Sequence, residues 1–67
     1  MPFVNIKITD ENVSTEDKQK IIKGVTDLLV SVLDKNPKTT VVVIEEIPQE
    51  NWGINGQSVE VLRKCKT

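Results

Sequence analysis

Few side chains in this 67-residue chain can do chemistry, and histidine is absent from it. The residues to weigh are Pro2, the thiol of Cys65, the lone arginine Arg63, the lysines Lys7 and Lys38, and the two aromatics Phe3 and Trp52. Pro2 opens the run "PFVNIKI" and cannot donate a ladder hydrogen bond. The first position of a strand tolerates that loss, and Pro2 taken alone is explained in this way. Were its bond to Met1 cut, however, its nitrogen would become a secondary amine. An α-amino group titrates at about 7.7–8.0 and is lowered by desolvation, so such a nitrogen can exchange protons near neutral pH. Cys65 sits in a polar tail with no histidine to act as its base, which reads as an ordinary reduced thiol. One cysteine and no histidine supply neither an intrachain disulfide nor a metal ligand set.

These residues must be positioned by one small domain spanning 1–67, since the length leaves no room for a linker or second core. A chain of this size buries a modest fraction of its surface and usually needs a staple. With disulfide and metal set aside, association with further copies is the remaining route. Nine basic residues oppose ten acidic ones without a Lys/Arg block, which argues against nucleic acid as a partner. Two aromatics and no tyrosine offer no stacking platform for single-stranded bases. No apolar run approaches the ~20 residues of a membrane span, and the N-terminal residues lack the pattern of a secretory signal. These features predict a cytoplasmic protein without a membrane partner.

The chain reads as strand, helix, strand and a C-terminal turn. From Phe3 to Thr9, Val4, Ile6 and Ile8 alternate with Asn5 and Lys7, the period of a sheet with unlike faces. The stretch "TDENVS" holds turn formers, and Ser14 is placed to cap a helix whose first turn carries Glu16 and Asp17. Ile21, Ile22, Val25, Leu28, Leu29, Val32 and Leu33 recur at helical spacing as one apolar stripe, with Lys18, Lys20, Lys23 and Asp27 elsewhere on the circumference. The helix should stop around "DKNP", where Pro37 disfavours helical geometry in Asn36. The run "TTVVVIEEI" from Thr39 to Ile47 is β-branched and puts apolar groups of Val41, Val42, Val43 and Ile44 on both faces of a sheet. Strand–helix–strand order implies a crossover between parallel strands, and its one helix covers one face. The other face therefore calls for another subunit. Gly53 and Gly56 flank a tight turn, with Asn55 suited to a left-handed conformation, before a tail from Ser58 to Lys64.

A strand opened by Pro2, a crossover helix, a Val/Ile strand and the loop Trp52-Gly53-Ile54-Asn55-Gly56 together resemble the short 4-oxalocrotonate tautomerase family of the tautomerase superfamily. The resemblance runs over essentially the whole chain. It implies an α/β (α+β) fold of β-α-β type, with parallel strands, one crossover helix and a short C-terminal hairpin, assembled as a hexamer from three dimers. It implies removal of Met1, with Pro2 acting as a cofactor-independent general acid/base. In the family such a proline takes a proton next to a carbonyl and returns it elsewhere on a conjugated system, interconverting enol and keto forms of small 2-oxo or 2-hydroxy-enoic acids. Phe3 beside Pro2, together with Trp52 from the assembled subunits, would supply apolar walls.

One departure from the family pattern concerns substrate. The best characterised members clamp a dicarboxylate with two arginines, and those positions fall near Asn12 or Val13 and at Val41, none of them basic. Lys7, Lys38 and Arg63 are the candidates for a replacement anion site, and Val41 becomes an apolar contact. Two readings follow: a tautomerase with altered substrate preference, or a catalytically silent assembly with a binding or structural role.

Overall fold

The computed structural model describes residues 1–64, so Cys65 lies outside the described residues. Strand β1 (Phe3–Thr9) leads into helix α1 (Thr15–Leu33), and a turn of 3₁₀ helix (Pro37–Thr39) precedes strand β2 (Val41–Ile47). A second 3₁₀ turn (Gln49–Asn51), the short strands β3 (Gly53–Ile54) and β4 (Gln57–Ser58), and helix α2 (Val59–Lys64) complete the order. Strands β1 and β2 pair in parallel, from Phe3 opposite Val41 to Thr9 opposite Ile47. The expected β-α-β unit is thus present, as is the C-terminal hairpin.

Local chemistry accounts for the boundaries. The Ser14 hydroxyl accepts from the Asp17 backbone N–H at 3.0 Å, satisfying one of the donors left free at the start of α1. The helix ends where Asp34 turns left-handed, at φ 54°, and its N–H bonds Val30 O at 3.0 Å. Pro37 does not itself terminate α1 but opens the following 3₁₀ turn, where its fixed φ suits the first position. Strand β2 accordingly begins at Val41, two residues later than the run of β-branched residues suggests. The N–H groups of Thr39 and Thr40 are committed to turn bonds with Asn36 O and Pro37 O, so neither can join the ladder. In the hairpin Ile54 pairs with Gln57, which makes Asn55 and Gly56, both at positive φ, the central pair of a two-residue turn. Gly53 does not flank that turn but pairs with Ser58 in the strands.

The sheet has two unlike faces. Glu46 pairs with Lys18 of α1, so the residues in step with Glu46, namely Val4, Ile6, Ile8, Val42 and Ile44, share the helix side. The opposite face carries Phe3, Asn5, Lys7, Val41, Val43 and Glu45, and its polar residues bond one another. Asn5 Nδ2 donates to Glu45 Oε1 at 2.6 Å, and Lys7 Nζ reaches the same oxygen at 3.1 Å. Among the described residues no helix or strand covers the part of that face formed by Phe3, Val41 and Val43. The helix stripe is also wider than its own sheet: Ile21, Ile22, Val25 and Leu29 are half-buried, whereas Leu28, Val32 and Leu33 remain 59%, 68% and 56% exposed. Val59 alone among the described apolar residues is buried. The radius of gyration is 15.4 Å, against about 11 Å for a compact domain of this length. A lone chain with so much open apolar surface has the shape of a building block.

Candidate active site

The two ends of the sheet carry different chemistry. At the end where β1 starts, the Pro2 carbonyl accepts from the Val41 N–H at 3.0 Å, which seats Pro2 against the start of β2. Phe3 and Val41 are register partners on the open face, 67% and 43% exposed, and form an apolar patch beside Pro2. Lys38 belongs to the 3₁₀ turn just before β2, at this same end. Met1 is almost wholly exposed, and Pro2 is half-buried.

The other end holds a cleft of about 680 Å³, lined by Lys7, Ile8, Thr9 and Glu11 with Trp52, Ile54, Val59, Leu62 and Arg63. Its walls come from three elements, because the hairpin folds Trp52 and Ile54 toward the end of β1 while α2 supplies Val59, Leu62 and Arg63. The Val59 N–H bonds Trp52 O at 2.7 Å and ties the helix to the loop that bears the indole. The tail after Ser58 is therefore a helix, α2. Its capping signals were present in the sequence: the Ser58 hydroxyl accepts from Val61 N–H, Glu60 lies in the first turn, and Arg63 and Lys64 lie in the last.

Of the sequence candidates, Trp52, Lys7 and Arg63 meet at this cleft, whereas Pro2, Phe3, Val41 and Lys38 stay at the opposite end. Ile8 lies six positions along the strand from Pro2, about 20 Å at about 3.3 Å per residue. Within one chain the Pro2 nitrogen and the indole do not share a site. Only another subunit can bring a Pro2 to this cleft.

Thr9 and Glu11 are lining residues that sequence reading passed over. Glu11 Oε1 lies 2.7 Å from Arg63 Nη2, and Oε2 accepts from the Thr9 hydroxyl at 2.7 Å. The Thr9 hydrogen bond, with Arg63 beside it, holds the Glu11 carboxyl below its ordinary value of 4.5. Glu45 is lowered in the same direction by Asn5 and then Lys7. The period-2 pattern of β1 already put Lys7 and Thr9 on one face, but Glu11 follows a turn whose path no local pattern specifies. No cluster of three or more His, Cys, Asp or Glu able to hold a metal occurs among the described residues. Nor, among them, is any helix long and apolar enough to cross a membrane.

Comparison with known proteins gives a single picture. The family model described as tautomerase enzyme matches residues 2–62. A probable tautomerase from Dickeya dadantii (strain 3937) is 56% identical over 64 residues, 96% of each chain. The 2-hydroxymuconate tautomerase of Comamonas testosteroni is 39% identical, covering 92% of this chain and 97% of its own. The crystal structure of DmpI from Helicobacter pylori superposes with a TM-score of 0.88 at 48% identity, covering 94% of this chain and 97% of that one. The match includes Pro2 at its first residue and reaches into α2, so both ends of the sheet fall inside it: the chain belongs to the tautomerase family.

Proposed function

We propose that the protein catalyses keto-enol proton transfer on small 2-oxo or 2-hydroxy-enoic acids, with Pro2 as general acid/base after loss of Met1. The whole of 1–67 acts as one domain of a homo-oligomer, a hexamer built as three dimers. The observation that carries this reading is the separation of Pro2 from Trp52 across the sheet. A base and an apolar pocket about 20 Å apart in one chain are useful only if subunits exchange them, and the uncovered sheet face and helix edge supply the surfaces for that exchange. Among the structural neighbours, one from Chloroflexus aurantiacus is a heterohexamer, in keeping with that architecture.

In the assembled site a Pro2 nitrogen from one subunit would face the Trp52 cleft of another. Desolvation by Trp52, Ile54 and the Phe3–Val41 patch would keep the amine free at neutral pH. It takes the proton next to the substrate carbonyl and returns one elsewhere on the conjugated system, so no cofactor is required. The test is protein whose intact mass establishes that it begins at Pro2, assayed on a panel of enolic acids beside protein that retains Met1. The processed form should be active and the retained form inert, because an acylated proline nitrogen has no basicity. Equal activity would remove Pro2 from the mechanism, and inactivity of both would favour the silent assembly with a binding role.

A further inference from the structure

The Trp52 cleft is apolar on its walls, yet its lining contains Lys7, Glu11 and Arg63, a balance of one positive charge. We infer that Arg63 holds the carboxylate of a monoanionic substrate there, and that Glu11 and Thr9 are positioning residues for its guanidinium. This rests on the cleft being the substrate pocket, and it names the anion-binding group of that pocket.

Geometry separates Arg63 from the other cations. A guanidinium has five N–H donors in a planar fork, and the close contact with Glu11 Oε1 involves Nη2, leaving donors for a second carboxylate. Glu11 is itself held, since the Thr9 hydroxyl occupies its other oxygen. Both oxygens of Glu11 are thus engaged, which fixes the carboxylate beside Arg63. The ion pair is 45% and 47% exposed, so it contributes little to stability and the guanidinium donors that Glu11 leaves free are open to a ligand entering the cleft. Lys7 is committed differently: its ammonium bonds Asn5 Oδ1 at 2.8 Å and Glu45 Oε1 at 3.1 Å on the open sheet face. Lys38 stands at the other end of β2. Among the described residues, only Arg63 combines a place in the cleft lining, a fork and a buttress.

Trp52 is the only tryptophan and lines the cleft, so its fluorescence reports binding without requiring turnover. The probes are cinnamate and cinnamamide, which share an aryl group and differ in charge. The processed protein should prefer cinnamate. Arg63→Met should raise the cinnamate Kd about tenfold or more, the worth of a charge-assisted hydrogen bond, and leave cinnamamide unchanged. Glu11→Ala should weaken cinnamate several-fold, and Glu11→Gln, whose amide oxygen still accepts from Arg63, should restore it. Lys7→Met should leave the preference intact. Where light scattering finds that Arg63→Met alters the assembly, Arg63→Lys replaces it; the fork is lost while stem and charge remain, and the cinnamate preference should still fall. Equal loss of both probes, an unchanged preference, or a loss that follows Lys7 in place of Arg63 overturns the inference. Repeating the titration in Pro2→Ala separates it from the catalytic reading. Binding that depends on Arg63 without any turnover by the parent protein refutes only the base, and turnover indifferent to Arg63→Met refutes only the anion site.

Discussion

Val43→Asp is the substitution that bears most directly on assembly. Val43 pairs with Asn5 in the ladder and therefore lies on the face that α1 does not cover, between Val41 and Glu45. It is half-buried in the single chain, and a partner subunit would cover the remainder. Losing the burial of the valine side chain costs about 1 kcal/mol, the partial form of the 1.5–3 kcal/mol for full burial. Enclosing an unpaired polar group adds about 2 kcal/mol or more. Each protomer then loses about 3 kcal/mol, and a two-fold contact carries the lesion twice, about 6 kcal/mol or roughly ten-thousandfold in the dimer Kd. Multi-angle light scattering and sedimentation velocity at micromolar concentration should find the parent protein as an even-numbered oligomer and Val43→Asp as dissociated, unfolded chains. Val42→Asp, on the helix side, attacks the chain's own packing and should lower the melting temperature whether or not subunits are associated. A parent protein that is a well-folded monomer, or a Val43→Asp variant that remains assembled with unchanged melting, would refute the reasoning.

Three further outcomes are expected. Pro2→Ala should lower any tautomerase rate about 10²–10⁴-fold, the usual worth of a positioned general base, with the oligomer unchanged by light scattering; equal rates would exclude Pro2 from the chemistry. A monoacid enol with an aromatic tail, such as phenylenolpyruvate, should show a higher kcat/KM than 2-hydroxymuconate, because each missing charge-assisted contact costs a diacid about tenfold to a hundredfold. Val41→Arg should shift that ratio toward the diacid if its position faces the assembled site, and a parent preference for the diacid would contradict the expectation. The carboxyls of Glu11 and Glu45 are both held below 4.5 when folded, so each favours the folded state above that value and loses its contribution as pH falls through the lowered one. Melting scans from pH 7 to about 3 should therefore fall less steeply for a Glu11→Gln/Glu45→Gln protein than for the parent, the difference shrinking in high salt; parallel curves would count against both pairs.

Local rules were enough for much of this architecture. Alternation in β1, the Ser14 cap, the helical stripe and the β-branched run of β2 each depend on residues within a few positions of one another, and each formed where the sequence reading put it or within two residues. The same rules foretold that one sheet face would lack a cover, because Val41 to Ile44 are apolar without alternation and a single crossover helix has one side to offer. Family resemblance drew attention to Pro2 and Trp52, whose side chains alone suggest no more than a strand start and an anchor.

What local pattern could not specify was where these residues stand relative to one another. Parallel pairing in the register Phe3–Val41 sends the hairpin out beyond the far end of β1, which places Trp52 about six residues of strand away from Pro2. The capped turn at Ser58 then lets α2 form and swing Arg63, more than fifty positions later in the chain, onto Glu11. Strand register and the docking of α2 are set by contacts between distant segments, and no periodicity or spacing encodes those contacts locally. Residue types thus determined which elements form and which surfaces stay apolar, whereas the tertiary arrangement decided that Pro2 and the Trp52 cleft of one chain lie apart, since strand direction fixes which end of the sheet each occupies.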